Sequence, residues 1–297
     1  MDDPVDRIVA VVPAWQARER LAATLDALAS QLAAIVVVDN GSTDGTADYV
    51  RDQRPTVTLI ANADNRGYPA AVNQGIAASL GLGAEAVLVV NDDAVLAPGA
   101  VAALAQALAA DPTAGAATAR LLFADRPGVL NGAGGAIDWP RVRVGLRGAG
   151  EPDDGRYAAE AFADYPSGAA MLLRRAALEA VGDLDEAYFL YYEDADWGVR
   201  AVRAGWRTRY VHAAVAHHAG WSGTRDDPAK RRYYNVRNRL RFAQRYAPWY
   251  ARLWVWLATL TLAARQPVRW FWPSRRADAE AVGRAILDHV RPPRPPS

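Results

Sequence analysis

Ala86-Val87-Leu88-Val89-Val90-Asn91-Asp92-Asp93-Ala94 is the stretch on which the reading of this chain turns. Ala86 to Val90 is a short, uninterrupted apolar run rich in Val, which predicts a strand buried on both faces. Two adjacent carboxylates follow it directly. They are not core material, because an ionised group buried without a partner is strongly unfavourable. At the carboxyl end of a strand in an open α/β sheet, where ligands sit, they have another use: holding a divalent cation against a phosphate.

Upstream, Ile8 to Val12 predicts a first strand ended by Pro13, and Leu21, Leu25, Leu28 and Leu32 place one apolar stripe on a helix from about Ala17 to Leu32. Ile35 to Val38 predicts a second strand. It runs into Asp39-Asn40-Gly41-Ser42-Thr43-Asp44-Gly45-Thr46, a turn-rich loop opening a helix with Asp44 or Thr46 as N-cap. Val57 to Ile60 and Ala86 to Val90 complete four strands. Helices are expected over Pro69 to Leu80 and Pro98 to Ala109. Such strict alternation with short connections means a parallel, doubly wound sheet. Neither GxGxxG nor GxxxxGK[ST] occurs, so a dinucleotide dehydrogenase and a P-loop enzyme are set aside.

Downstream, Gly128 to Gly155 is glycine-rich and predicts a loop region over a site. Regular structure resumes with a strand in Pro166 to Leu173, containing Ser167-Gly168, and a helix over Arg175 to Val181. Glu193, Asp194 and Asp196 then follow the aromatic run Tyr188-Phe189-Leu190-Tyr191-Tyr192 and precede Trp197. The bland reading is a helix whose first turn is acidic, which suits the macrodipole. One cap does not need three acids beside so many rings, so an acceptor-handling site is the sharper reading. A His pair, His217-His218, ends a later strand beside Ala219-Gly220. An isolated His is most often structural, but a pair in a chain that already has a carboxylate cation site reads as a metal ligand.

The chain has 297 residues and no cysteine, which excludes disulfides and thiolate metal sites. Met1-Asp2-Asp3-Pro4 lacks the basic and apolar regions of a signal peptide. Net charge is +1, yet residues 226–297 carry 15 Lys and Arg against 5 Asp and Glu, with five of the ten Trp. That tail predicts basic helices over Pro228 to Tyr246 and Trp249 to Ala264, then Arg269-Trp270-Phe271-Trp272-Pro273, a Ser274-capped helix to about Val290 and a fraying Pro292 to Pro296. Its apolar run, Leu253 to Ala264, is 12 residues, short of the about 20 a bilayer span needs. The alternatives are a solvated tail packed on the body or a surface for anionic membrane. Nucleic acid is the weaker candidate for that charge, and the oligomeric state stays open, a dimer included.

Several of these blocks, in this order, resemble the family-2 inverting glycosyltransferases of GT-A fold, and within them the bacterial rhamnosyltransferase-like branch. Ile35 to Thr46 is similar to the family's nucleobase-binding strand and loop. Asn65-Arg66-Gly67-Tyr68-Pro69-Ala70-Ala71-Val72-Asn73-Gln74-Gly75 is similar to its Asn-x-Gly block, and Asn91-Asp92-Asp93 stands where it has Asp-x-Asp. Ser167-Gly168-Ala169 and Glu193-Asp194-Ala195-Asp196 resemble its acceptor-side motifs, and His217-His218-Ala219-Gly220-Trp221-Ser222 its late His-x-x-Gly-x-Ser motif.

The resemblance implies a GT-A domain over residues 1–225, a Rossmann-like, mostly parallel sheet with helices on both faces, and a helical extension over 226–297. It implies a donor site of Pro13, Ala14, Asp39, Asn40, Gly41, Ser42, Asn65, Gly67, Asn73, Asn91 and Asp92. Asp39 would accept from the N3–H of uracil or thymine. Asp93 and His217 would ligate Mg2+ or Mn2+ at the diphosphate of a UDP- or dTDP-sugar, dTDP-rhamnose among them. Asn91 replaces the first Asp, which shifts weight in the shell onto His217. Asp194 would be the general base, with Glu193 and Asp196 as rivals. Ser167, Gly168, Tyr191 and Trp197 would face a glycan or polyprenyl-linked acceptor. The implied setting is cell-surface polysaccharide synthesis on the cytoplasmic side, peripheral to the membrane. Two other classes compete: a nucleotidyltransferase, against which Pro13-Ala14-Trp15-Gln16 stands where a basic phosphate loop belongs, and a non-catalytic sugar- or membrane-binding relative, against which the full set of acids and His stands.

Overall fold

Strand and helix alternate through the first 110 residues, as the periodicity predicts. In the computed structural model, which describes residues 5, 7–159, 161–220, 227–266 and 276–291, β1 (Ile8–Ala14), β2 (Ala34–Asp39), β3 (Thr58–Ala61) and β4 (Ala86–Val90) are joined by α1 (Leu21–Ala29), α2 (Thr46–Gln53) and α3 (Tyr68–Gly81). These four strands are parallel, in the order β3-β2-β1-β4. The order switches direction at β1, so the carboxyl ends of β1, β2 and β4 open on one crevice. β1 alternates cleanly: Ala10 and Val12 enter one apolar cluster with α1 and α4 (Ala100–Ala110), while Val9 and Val11 enter the other with α3. Pro13 falls beyond Val11, where the pairing with β4 stops, a position that tolerates a missing N–H. α1 is shorter than its stripe suggests. Ala17 gives its N–H to the Thr46 hydroxyl and stays in a turn before the helix.

An antiparallel half extends this sheet. β11 (Ala170–Arg174) lies antiparallel between β4 and β6 (Ala114–Phe123), and β12 (Arg207–His218) runs parallel to β6. β5 (Ala94–Leu96) and β10 (Ala161–Ala163) pair antiparallel with β12, and β7 (Leu130–Ala133) with β6. The glycine-rich region is largely ordered as β7 and the hairpin β8 (Gly135–Asp138) and β9 (Arg143–Leu146). α5 (Arg175–Val181) and α6 (Glu193–Arg203) pack on the face that α3 covers.

By packing, the described chain forms two units. The first is the sheet with its helices, up to Ala136, Gly145–Phe189 and Glu193–Gly220. The second groups Ile137–Val144 and Leu190–Tyr192 with the described residues beyond 220. In it α7 (Pro228–Tyr246), α8 (Trp249–Ala264) and α9 (Arg276–Val290) pack together. Asp227 caps α7 by accepting from the Lys230 N–H at 2.8 Å, and Tyr233 donates to Asp288. Phe242 stacks on Trp139 and meets Tyr192 at a tilt and Tyr246 edge-on. Trp221, Ser222, Asp226, Arg269-Trp270-Phe271-Trp272-Pro273, Ser274 and Pro292 to Pro296 lie outside the described residues.

Gly75 shows how tightly α3 lies on β1. A Cβ there would stand 2.2 Å from Val11 Cγ1, and Val11 is fully buried. Overpacking of this kind costs about 1–3 kcal/mol. Gly75→Ala is expected to lose that much in urea unfolding; an unchanged midpoint would mean that this contact is loose.

Candidate active site

The two acids after β4 have different fates. Asp92 is clamped. Arg20 donates from Nε to Oδ1 at 3.0 Å and from Nη2 to Oδ2 at 2.9 Å, and the Trp15 N–H adds 3.2 Å to Oδ2. Arg20 also donates to the Trp15 and Gln16 carbonyls, so this fork locks the turn after β1 onto the end of β4. Burial pushes the Asp92 carboxyl up to about 6 against the pull of Arg20, and the Asp93 charge adds to the rise. Both Asp92 oxygens are held by these bonds, so Asp92 organises the crevice. Removing one partner of a buried pair costs about 3–5 kcal/mol.

Asp93 instead faces an imidazole. β5 pairs with β12 so that His218 lies opposite Ala94, and His218 Nε2 comes 3.2 Å from Asp93 Oδ1. Asn91 Nδ2 is 3.4 Å from the same nitrogen. On the far side of the ring, Nδ1 is 3.1 Å from Asn131 Oδ1. In the tautomer that donates from Nδ1 to that oxygen, Nε2 keeps its lone pair toward Asp93, the arrangement found behind metal-bound His. Asn91 Oδ1 is buried without a hydrogen bond among the described residues. The Asp93 carboxylate, the Asn91 amide and the His218 imidazole thus stand together after β4, residue types that Mg2+ or Mn2+ accepts as ligands. His217, the residue expected from the motif, is not part of this. Side chains alternate along a strand, and His217 is exposed on the opposite face of β12. Among the described residues no three His, Asp or Glu side chains cluster, so amide and ligand oxygens would have to complete such a shell.

Asp39 ends β2 buried. Its Oδ2 accepts from the Ser42 N–H at 3.2 Å, while Oδ1 has no partner among the described residues. A buried, unpaired acceptor at a strand end suits an N–H donor on a base. The neighbouring residues build the loop instead. Asn40 is saturated: it donates to Asn65 Oδ1 and the Gly67 carbonyl, and accepts from Asn62 and the Arg66 N–H. Gly41 has φ +75, and a Cβ there would meet the Asp64 backbone at 2.5 Å. Ser42 Oγ accepts from the Gln16 N–H, and Asn65 Oδ1 from the Gly67 N–H. Pro13 and Ala14 are paired strand residues, though the Ala14 carbonyl anchors the Asn40 N–H. Asn73 departs from expectation. It binds the Leu184 backbone on both sides and Glu186, tying α3 to the segment before the aromatic run.

On the acceptor side everything meets at Gly168. Its N–H donates to Asp194 Oδ2 at 3.2 Å, and its carbonyl accepts from the Tyr68 hydroxyl at 2.7 Å. Ser167 supports this turn, its N–H on Thr118 Oγ1 and its hydroxyl toward the Ala169 N–H. The Tyr68 hydroxyl stays protonated: burial, then the charges of Glu193, Asp194, Asp92 and Asp93, hold it well above its usual range. One phenol therefore senses the acids of both motifs.

The three acids of α6 separate by environment. Asp196 is fully buried between the Tyr188 hydroxyl and Arg200 Nε, at 3.1 and 2.8 Å. Glu193 is buried, and burial together with the Asp194 charge holds its carboxyl well above the usual range. Asp194 alone keeps part of its surface accessible. Burial lifts it to about 6, while N–H bonds from Gly168 and Ala195 restrain the rise. Trp197, expected as a stacking face, is core, its indole N–H on the Gly182 carbonyl. Tyr191 belongs to the second unit and is half-buried at φ +69, next to Tyr192 at φ +76. Such left-handed, non-glycine residues store strain and collect at functional segments.

A family model described as glycosyltransferase-like family 2 matches residues 5–247. The chain belongs to glycosyltransferase family 2. It is a glycosyltransferase of GT-A fold. It is 31% identical over 271 residues to the N-acetylglucosaminyl-diphospho-decaprenol L-rhamnosyltransferase of Mycobacterium tuberculosis, covering 83% of this chain and 86% of that one. In fold it is similar to a mannosyltransferase of Pyrobaculum calidifontis solved with GDP-Man and Mn2+, at TM-score 0.58 and 18% identity, over 97% of this chain and 89% of that one. It is similar as well to GalNAc-T7 solved with UDP, GalNAc and Mn2+, at TM-score 0.59 and 13% identity, over 95% of this chain and 55% of that one.

Reading the sequence missed Arg20, Tyr68 and Asn131, and within the His pair it named His217 and not His218. For His218 the signal was available in the alternation of β12, which buries Ala214 and Ala216 and so turns residue 218 to their face.

The titration of Asp194 has a kinetic signature. A base must be ionised to accept a proton, so kcat/KM is expected to fall tenfold per pH unit below about 6 and to level off above it. Asp194→Asn should lower kcat roughly 10²–10⁴-fold and abolish that limb. A limb that persists in this variant would assign it to another group.

Proposed function

We propose that this glycosyltransferase moves a rhamnose-type sugar, with inversion, from a dTDP- or UDP-sugar to a hydroxyl of a sugar carried on a prenyl diphosphate. The reading is supported by the likeness to the mycobacterial rhamnosyltransferase, whose name gives a diphospho-decaprenol acceptor, over most of both chains. The observation that carries it is Asp194, the one accessible acid of α6, aimed by Gly168 beside the crevice where β1, β2 and β4 end. The acceptor hydroxyl lies against Asp194. Its oxygen forms a bond to the anomeric carbon on the face opposite the leaving group. The bond from that carbon to the diphosphate oxygen breaks, and the nucleoside diphosphate departs. Asp194 takes the hydroxyl proton. Tyr68 and Gly168 keep that carboxylate in position, and Asp39 Oδ1 accepts from the base. Asp93, His218 and Asn91 would hold Mg2+ or Mn2+, which when bound neutralises charge on the leaving diphosphate.

The second unit docks on anionic membrane, where such an acceptor resides. α8 is apolar on nearly every side, yet only Ala251, Val255 and Thr259 are buried. Trp249, Tyr250, Leu253, Trp254, Leu257 and Leu260 are each at least half exposed and lie on the opposite side of the helix. Trp and Tyr favour the headgroup boundary, and the net positive charge of residues 226–297 suits anionic lipid. Among the described residues no helix is long and apolar enough to cross a membrane.

Two experiments test this. Incubation with a prenyl-diphospho-N-acetylglucosamine and a panel of dTDP- and UDP-sugars should release nucleoside diphosphate with a dTDP-deoxyhexose at least tenfold faster than with UDP-glucose; no release with any donor contradicts it. Phosphatidylglycerol vesicles should co-sediment the full chain, and Trp249→Ser with Trp254→Ser should cut the bound fraction several-fold. Undiminished binding in that variant would place the docking surface elsewhere.

A further inference from the structure

The second unit contains a cavity of about 270 Å3 between α7, α8 and the segments 143–144 and 192. Arg143 and Arg239 line it, with Tyr192 and the apolar side chains Val236, Ala258 and Leu262. No carboxylate lines it among the described residues. Arg239 is held in place by bonds from Nε to the Val142 carbonyl at 3.2 Å and from Nη2 to the Arg141 carbonyl. Those bonds fix the guanidinium without neutralising it. Arg143 has no ion pair among the described residues. The nearest acid that acts on Arg239 is Asp138, and its oxygens already accept from the Arg141 N–H and guanidinium. Burial pushes Arg239 below the usual range, and the like charge of Arg143 adds to the fall against the opposing pull of Tyr192 and Asp138.

Tyr192 adds a second, independent sign. It is only 5% exposed, and its hydroxyl has no hydrogen-bond partner among the described residues. Burial pushes that phenol up to about 12, so it is a donor at every working pH. Two guanidiniums and one phenolic O–H offer hydrogen-bond donors, beside the side chains of Asn235 and Thr259, and the two positive charges favour an anion. The apolar wall selects an anion with a hydrocarbon attached. The volume is below the about 300–1,000 Å3 of sites that enclose drug-sized ligands, so it suits a headgroup and not a whole sugar nucleotide.

We propose that this cavity holds the diphosphate of the prenyl-diphosphate acceptor, with Arg143 and Arg239 on its phosphate oxygens, the Tyr192 hydroxyl donating to one of them and the first prenyl carbons on Val236, Ala258 and Leu262. This rests on the acceptor class proposed above. Tyr192 stands two residues before Asp194 in the chain, so the segment that grips the diphosphate continues directly into the base.

Calorimetric titration of the full chain, with the donor site saturated by dTDP and Mg2+, uses farnesyl diphosphate as probe. Inorganic pyrophosphate and phosphatidylglycerol vesicles serve as the other arms. Farnesyl diphosphate should bind, and Arg143→Gln, an exposed position that carries no structural bond, should weaken it at least tenfold. Tyr192→Phe should weaken it about threefold. In turnover, Arg143→Gln should raise KM for the lipid-linked acceptor about tenfold and leave KM for the donor unchanged. Equal affinity of wild type and both variants for farnesyl diphosphate overturns the assignment. So does pyrophosphate binding as tightly as farnesyl diphosphate, which would make this a free-phosphate site, or a loss in Arg143→Gln confined to vesicles, which would make it a lipid headgroup site. The acceptor reading fails separately, if no prenyl-linked sugar is glycosylated while farnesyl diphosphate still binds in an Arg143-dependent way.

Discussion

The approach of His218 Nε2 to Asp93 Oδ1, at 3.2 Å, is the contact on which the crevice depends. Neither residue brings it about locally. Asp93 is delivered by the end of β4, His218 by the last residue of a strand that begins more than a hundred residues later, and the short pairing of β5 with β12 sets them face to face. In the tautomer that donates from Nδ1 to Asn131, the lone pair of Nε2 faces a carboxylate oxygen. Two lone pairs held against each other in a buried place favour a cation between them. The fold stores that preference before any nucleotide arrives, which is electrostatic preorganisation.

Around this contact, polar side chains that look like ligand groups turn out to be braces. Arg20 takes both oxygens of Asp92, Asn40 is saturated by the loop from Asn62 to Gly67, and Asn73 fastens α3 to Leu184. Each such brace fixes a loop that bears another acid of the crevice: Asp93 next to Asp92, Asp39 next to Asn40. The acceptor side follows the same logic. Gly168 spends both backbone groups on Tyr68 and Asp194, and Asp196 gives its charge to Arg200, leaving Asp194 as the acid that can exchange a proton.

The doubly wound half of the fold was legible because its strands are buried on both faces and its helices carry single stripes; both periods survive in the sequence. The division of labour within the motifs was not. Asp92 and Asp93, or Glu193, Asp194 and Asp196, are identical in kind, and only partners distant in sequence separate them: Arg20 for Asp92, Arg200 and Tyr188 for Asp196. Trp197 could equally have been a platform or core until α6 was seen to bury it. His217 and His218 differ by one position, and in a strand one position is the whole difference between the two faces. The anion cavity was invisible for a related reason. Arg143, Tyr192 and Arg239 are spread over nearly a hundred residues, and no spacing links them.

The central claim is that the crevice is a cation site built by His218 and Asp93. Its most direct test is the affinity for Mn2+, read by electron paramagnetic resonance of the full chain with saturating dTDP. The account predicts that His218→Ala weakens Mn2+ at least tenfold while His217→Ala leaves it unchanged. Loss of Mn2+ in His217→Ala with full retention in His218→Ala would contradict it.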